Sequence, residues 1–215
     1  MTSLPQLVYE ARSPEKSALN PASTLLTLAA ADRALASRLA ADGSLFQGYH
    51  PEMEALHRAN AAQLREIVTA HGWPGRSLVG EEAAEAAWLI VQHAIGEPVF
   101  QREMLAVLQV EAQKGEVPAW QVAKLEDRVR SFEGRPQRYG TQFDWDEAGQ
   151  MSPWPEIEEP EAVDERRAAV GLPPLAEAIA SHCARAAASG ALVPADLAAR
   201  RREMDEWSLR VGWRG

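Results

Sequence analysis

The stretch that decides the fold is GEEAAEAAWLIVQHAI, residues 80–95. From Ala83 onward its only polar residues are Glu85, Gln92 and His93. A helix that is apolar on nearly all sides is a buried one, so this segment is predicted to be the central helix of a helical domain. Its polar residues at the C-terminal end then lie where an unsatisfied polar group costs most. The segment therefore predicts a polar site beside Gln92 and His93.

The composition is that of an ordinary globular domain. The chain has 215 residues, of which 46% are hydrophobic and 25% charged, enough for one domain with a substantial core. No apolar run reaches the length of a membrane span, and the net charge of −9 opposes binding to nucleic acid or anionic membranes. The single cysteine, Cys183, excludes a disulfide framework or a cysteine-rich zinc site. Because the first residues lack the pattern of a secretory signal, we expect a cytoplasmic protein with no nucleic-acid or membrane partner.

Capped helical segments surround the central one and predict a mainly α fold, a single helical domain of six to eight helices. The first helix begins after the cap at Asn20 and ends near Asp42, and the second runs from Pro51 to about Ala70. Further helices follow at about 98–115, 118–133, 162–170, 174–188 and 194–207. Helical spacing is lost in between, which predicts a small hairpin or irregular insertion near 139–156.

Several polar residues occupy positions that helical spacing assigns to the core. Asp32 lies in the leucine stripe of the first helix, and Gln101 lies on the buried side of the fourth. In the second helix, Asn60 and His71 continue an apolar stripe made by Met53, Leu56, Leu64 and Ile67. His71 is predicted at the helix end with its ring turned inward. Burying such groups separately costs a few kcal/mol each, so we expect them to gather around one shared pocket.

Six short strings, taken in order, add a resemblance: HGWP (71–74), VG (79–80), QHA (92–94), DR (127–128), QRYGTQ (137–142) and RRAAVGLPPL (166–175). In this order the strings resemble a family of bacterial domains of unknown function. The resemblance spans roughly Leu25 to Leu175 and implies no activity. It implies that seven residues match the family's marked positions: His71, Gln92, His93, Asp127, Arg128, Tyr139 and Gln142. Helical spacing alone would place Asp127 and Arg128 toward solvent.

The chain is accordingly predicted to have three parts. Residues 1–19 form an N-terminal arm without periodicity, and residues 20–175 form the helical domain that carries the family-like strings. Residues 176–215 form a C-terminal helical extension packed on the same domain.

A pocket of this composition predicts an enzyme that uses acid/base chemistry on a small polar metabolite, of the kind found in bacterial specialised metabolism. A carboxylate beside a histidine supplies the acid/base pair, and the candidate catalytic residues are His93, His71, Asp32 and Asp127. Amides, an aromatic wall and one cation would hold the substrate: Gln92, Asn60, Gln101, Arg128, Tyr139, Gln142 and Trp73. For Trp73, packing in the core behind a helix end is the favoured alternative.

Two other functions fit the same residues. A non-catalytic binding, accessory or immunity-type interaction protein would use the polar cluster only for structure, and its partner would be another protein or a second copy of the chain. A metal-dependent enzyme would bind zinc or iron through His71, His93 and one carboxylate. Because no H-x-x-x-H or H-E-x-x-H spacing occurs, we predict no metal ligand and no cofactor.

Overall fold

The computed structural model describes residues 20–46 and 48–215, so the predicted arm at 1–19 lies outside the described residues. The structure is 67% helical, which confirms a mainly α domain. The helices of the described part are α1 (Pro21–Ala41), α2 (Pro51–His71), α3 (Arg76–Val79), α4 (Glu81–His93), α5 (Pro98–Gln113), α6 (Ala119–Phe132), α7 (Val163–Ala169), α8 (Leu175–Ala188) and α9 (Leu197–Val211). Single 3-10 turns lie at Ser44–Phe46 and Pro160–Ala162.

The helix count exceeds the predicted range because of the four-residue α3. This helix lies between Pro74 and Gly80, a stretch for which no helix is predicted from the sequence. The backbone N–H and hydroxyl of Ser77 both donate to the Glu116 carboxylate, at 2.9 and 2.6 Å. That carboxylate stabilises a short turn that helical periodicity cannot reveal.

The insertion near 139–156 contains the predicted hairpin. Its strands are β1 (Phe143–Trp145) and β2 (Met151–Pro153), which pair antiparallel with Asp144 opposite Ser152. The hairpin is short, and α8 packs against β2.

The central helix of the fold is α4, as predicted, and it packs against α1, α2, α3 and α5. In the described part, its contact with α1 is the most extensive between any two elements. Both helices bury alanines, Ala29 in α1 and Ala83, Ala86 and Ala87 in α4, each at most 2% exposed. Small side chains at a contact allow helix axes to approach closely. The C-terminal end of α4 is thereby held close to α1.

The end of the chain packs on the corner between α4 and α5. Trp213 is 2% exposed, and its indole N–H donates to the backbone carbonyl of Ile95 at 2.8 Å. Arg102 on α5 donates in turn to the carbonyl of Trp213 at 2.8 Å. Residues beyond 176 thus contact the helical core, although the boundary at 176 stays a prediction. Within the described residues, no helix combines the length and the apolarity that a membrane span requires.

Candidate functional site

Three helices bring one carboxylate and two imidazoles together. Asp32, in the buried stripe of α1, is 2% exposed. Its Oδ1 and Oδ2 atoms lie 3.0 and 2.9 Å from Nδ1 of His93, the last residue of α4. The Oδ2 atom also lies 3.0 Å from Nε2 of His57 on α2. The carboxylate is therefore placed between two histidine rings, whose centres are 5.1 Å apart.

The carboxylate of this cluster is ionised at neutral pH. Burial by itself raises the pKa of Asp32, because a low-dielectric environment disfavours the charged form. The close contacts and the electrostatic attraction of His57 and His93 outweigh that effect and hold the pKa of Asp32 well below its usual range. Asp32 is thus a fixed negative charge beneath His93.

His57 is the least exposed imidazole of the cluster, at 7%. Its Nδ1 lies 2.9 Å from the hydroxyl oxygen of Tyr49. Its Nε2 is close to Asp32, but the contact lacks hydrogen-bond alignment, so Nε2 has no hydrogen-bond partner among the described residues. Burial raises the pKa of Tyr49 well above its usual range, so the phenol stays protonated.

Sequence reasoning missed His57 because it placed Leu56 in the stripe of α2. The structure buries Met53, His57, Asn60 and Leu64, spaced by four, three and four residues. This spacing was available in the sequence, and it would have placed His57 on the same face as Asn60.

A cavity of about 320 Å³ opens beside the two histidines. Its walls combine polar side chains with a few apolar ones: Tyr49, His50, His57, Gln92, His93, Arg128 and Gln142, together with Leu45, Met53, Ile95 and Phe132. The side chain of His93 is 35% exposed, whereas that of Asp32 is 3% exposed. His93 therefore connects the buried carboxylate to the cavity.

Arg128 contributes a positive charge to the cavity wall. Its guanidinium donates to the backbone carbonyl of Gln92 at 2.6 Å and to the Gln142 side-chain oxygen at 3.1 Å. Both acceptors are neutral, and no carboxylate of the described residues lies within ion-pair distance. Burial lowers the pKa of Arg128 to about 10, which leaves it charged at neutral pH. The cavity wall thus has a cation that no acidic residue of the described part neutralises.

Asp127 holds the loop that carries Gln142. It is fully buried, and its carboxylate accepts hydrogen bonds from the backbone N–H groups of Arg138, Tyr139 and Thr141 and from the Thr141 hydroxyl, at 2.7 to 3.2 Å. Burial raises the pKa of Asp127 and these donors lower it, with burial the larger effect. Both carboxylate oxygens of Asp127 are therefore engaged in hydrogen bonds to the loop.

Two further residues of the loop fix its path. The side chain of Gln137, fully buried, donates to the carbonyls of Gln142 and Pro155 and accepts from the Gln142 N–H at 2.7 Å. Gly140 has a φ of +61°, and a Cβ there would lie 2.6 Å from a methyl carbon of Ile157. A larger residue at this position would have a strained backbone and would have to displace the end of the Ile157 side chain.

The structure places five predicted site residues at or beneath the cavity: Asp32, Gln92, His93, Arg128 and Gln142. His71 is elsewhere, and the prediction that its ring turns inward is wrong. Leu64 is the last buried residue of α2, and the helix is half-buried or exposed from there to His71, which faces solvent. Spacing identified the stripe correctly but could not show where the neighbouring helices end.

The prediction from spacing that Asp127 faces solvent is also wrong, since the 137–142 loop covers it. It does not line the cavity. Tyr139 is half-buried beside Arg138 and does not reach the cavity either.

The other predicted binding residues lie in the core. Trp73 packs in the hydrophobic core, the favoured alternative for it. Gln101 is fully buried and donates to the carbonyls of Val91 and Gln92, which attaches α5 to the end of α4. Asn60 is 2% exposed on α2. None of the three lines the cavity, so the prediction of one shared pocket holds for only part of the polar set.

Comparison with known proteins places the chain in a family. A family model described as "Family of unknown function (DUF6624)" matches residues 21–185, a range that contains Asp32, His57, His93, Arg128 and Gln142. No curated protein and no solved structure matches the chain. The match spans well over half of the 215 residues, and the chain therefore belongs to this family of unknown function.

Proposed function

We propose that this chain is an enzyme that performs acid/base chemistry on a small polar molecule bound in the cavity beside His93. The observation that carries the proposal is the position of His93, which is hydrogen-bonded to buried Asp32 on one side and exposed to the cavity on the other. A base held in place by a third group is a recurrent catalytic arrangement.

The hydrogen bond determines which nitrogen of His93 can react. With Asp32 ionised, Nδ1 of neutral His93 carries the proton and donates a hydrogen bond to the carboxylate. The lone pair is then on Nε2, which can take a proton from a substrate or from a water molecule. The imidazolium formed in that step would be stabilised by the Asp32 charge.

Arg128 indicates the chemical class of the substrate. A partly buried guanidinium with only neutral acceptors lacks the compensation that an ion pair supplies. A carboxylate or phosphate group in the cavity would supply it through charge-assisted hydrogen bonds. The cavity volume of about 320 Å³ suits a small molecule. We therefore propose a small anionic substrate.

The alternative is a non-catalytic interaction protein with a purely structural cluster. A structural network would be filled and fully hydrogen-bonded, whereas this cluster borders an open cavity and leaves Nε2 of His57 without an aligned partner. These features favour the enzyme over the interaction protein.

The test is a thermal-shift screen of carboxylate- and phosphate-bearing metabolites on the wild type and on Arg128→Gln and His93→Gln. Arg33→Gln and His71→Gln are matched controls, because both residues are exposed and lie on α1 and α2. We expect a subset of anions to stabilise the wild type and both controls, and Arg128→Gln to weaken binding at least about tenfold.

For a ligand identified in this way, His93→Gln should still bind it but lose turnover about 10²- to 10⁴-fold, the usual contribution of a general base. A His93→Gln protein that melts earlier yet turns over normally would contradict the catalytic role. If no anion stabilises the wild type more than Arg128→Gln, the proposed substrate class is wrong.

A further inference from the structure

The Asp32, His57 and His93 side chains, here called the histidine cluster, also have the composition of a metal site. Each offers one ligand atom, and the three atoms lie within 4.8 Å of one another. They come from α1, α2 and α4, so no local sequence motif could have revealed them. Two imidazole nitrogens and one carboxylate oxygen form a donor set suited to Zn²⁺, Fe²⁺ or Co²⁺.

Two of the three separations between donor atoms fit a common ion. With metal–ligand bonds of about 2.1 Å, adjacent donors of an octahedral site lie about 3.0 Å apart, and those of a tetrahedral site about 3.4 Å apart. The Asp32 Oδ2 atom is 3.0 Å from His57 Nε2 and 2.9 Å from His93 Nδ1. Two edges of the cluster thus have the length that a six-coordinate ion would give them.

His57 supplies an independent observation. Its Nε2 is buried and points into the cluster, yet it has no hydrogen-bond partner of acceptable alignment among the described residues. Leaving a buried polar atom unsatisfied costs about 1–3 kcal/mol. A metal ion that accepts the Nε2 lone pair would satisfy this atom, whereas the Asp32 carboxylate alone does not.

Tyr49 completes the arrangement around His57. Its phenol oxygen lies 2.9 Å from Nδ1 of His57 and can accept the proton of that nitrogen. This contact would fix the tautomer that leaves Nε2 unprotonated, as second-layer partners of metal-bound histidines commonly do.

From these contacts we propose that Asp32, His57 and His93 bind one divalent transition-metal ion of the zinc, iron or cobalt class at the base of the cavity. This corrects the ligand set of the metal-dependent alternative, in which His71 took the place of His57. Three protein ligands leave coordination positions for water or substrate, and both histidines line the cavity. The ion would neutralise the single negative charge of the cluster and add a positive charge on the same cavity as Arg128.

The inference rests on the proposed function for the use of the cavity, and it changes the identity of the base. With the ion bound, the Nδ1 lone pair of His93 is on the metal. Bound there, the ion could activate a water molecule for acid/base chemistry, and Nδ1 of His93 would hold the ion instead of the proton that it carries without metal.

The test is calorimetric titration of the chelator-treated full-length chain with Co²⁺ and Zn²⁺, together with the visible absorption spectrum of bound Co²⁺. We expect one ion per chain and no comparable binding of Mg²⁺, which prefers oxygen ligands. His57→Gln and Asp32→Asn should weaken Co²⁺ binding at least about 100-fold, since each removes a ligand. Tyr49→Phe should weaken it about tenfold while all three ligands remain.

The matched control is His71→Gln, on the same helix as His57 but exposed; it should bind Co²⁺ within about twofold of the wild type. Circular dichroism verifies that each variant is folded. If a ligand variant does not fold, Tyr49→Phe still tests the inference, because it keeps all three ligands. Equal Co²⁺ affinity in the wild type and His57→Gln would overturn the inference and identify the cluster as a hydrogen-bonded triad. Loss of affinity in His71→Gln as large as in His57→Gln would overturn it too.

Failure of this inference can be separated from failure of the proposed function. If metal does not bind but anions still bind through Arg128, only the metal site is refuted. If metal binds but no anion depends on Arg128, the metal site stands and the proposed substrate class is refuted.

Discussion

Replacing Asp127 by asparagine should destabilise the protein through the loop that it holds. The carboxylate accepts from three backbone N–H groups and one hydroxyl, divided between its two oxygens. Asparagine keeps one acceptor oxygen and replaces the other with an NH₂ group. That group would face backbone donors, which cannot reverse their polarity.

The magnitude follows from the bonds that are lost. Hydrogen bonds to a charged group contribute about 1.5–3 kcal/mol each. If the amide replaces Oδ2, the Thr141 N–H loses its acceptor, and the Thr141 hydroxyl keeps a contact only by accepting where it now donates to a charged oxygen, both contacts being 2.9 Å long. The neutral amide escapes the desolvation that raises the pKa of Asp127, which offsets part of the loss. We expect a net loss of about 2–4 kcal/mol, or roughly 4–16 °C in melting temperature for a chain of this size.

Urea denaturation measures this loss directly as a lower midpoint at unchanged slope. The matched control is Glu126→Gln, because Glu126 is the adjacent residue and its side-chain hydrogen bond to Arg138 is long, at 3.4 Å. It should change the free energy of unfolding by less than about 0.5 kcal/mol. If Asp127→Asn is as stable as Glu126→Gln, the loop does not depend on the carboxylate and our account of Asp127 is wrong.

Two further predictions concern the C-terminal region. Trp213→Ala should cost about 3–5 kcal/mol of unfolding free energy, because a nearly buried ring stacked on Phe132 is removed together with its hydrogen bond to Ile95; an unchanged urea midpoint would show that the chain end is not part of the core. For His182, burial and then the positive charges of Arg185, Lys124 and Arg167 lower the pKa to about 4, from 6.5 in the unfolded chain. Between these values the unfolded state binds the proton and the folded state does not, so stability should fall as pH falls from about 6.5 to 4. After allowance for solvent screening, we expect His182 to contribute a decrease of about 1 kcal/mol in unfolding free energy over this range. Urea midpoints measured across the range should show that the His182→Phe variant lacks this contribution.

The helical architecture could be predicted because its signals are local. The apolar run of α4, the cap at Asn20, and the prolines and glycines that separate helices act within a few residues, and each element appears where these signals indicate. The exception, α3, depends on Glu116, which lies 39 residues from Ser77.

The site could be predicted only in part because its geometry is set by tertiary contacts. Position 32 in a leucine stripe indicated that Asp32 needs a partner, but the partner, His93, is 61 residues away. For His71, spacing gave the face of the helix but not the extent of its neighbours. Asp127 lies on the polar side of α6 and is covered by a loop that has no periodicity. The exposure of His71 and the burial of Asp127 could therefore be learned only from the folded structure.

The alanine-rich contact between α1 and α4 has a consequence for how this chain can vary. An aspartate side chain is short, so Asp32 reaches His93 only while the two helix axes keep their present spacing. A larger residue at Ala29 or Ala87, both fully buried, would have no room in the core unless α1 or α4 moved, and the contacts of 2.9 and 3.0 Å between Asp32 and His93 tolerate little extension. Small side chains at these two positions therefore help to set the distance between Asp32 and His93 without belonging to the histidine cluster themselves.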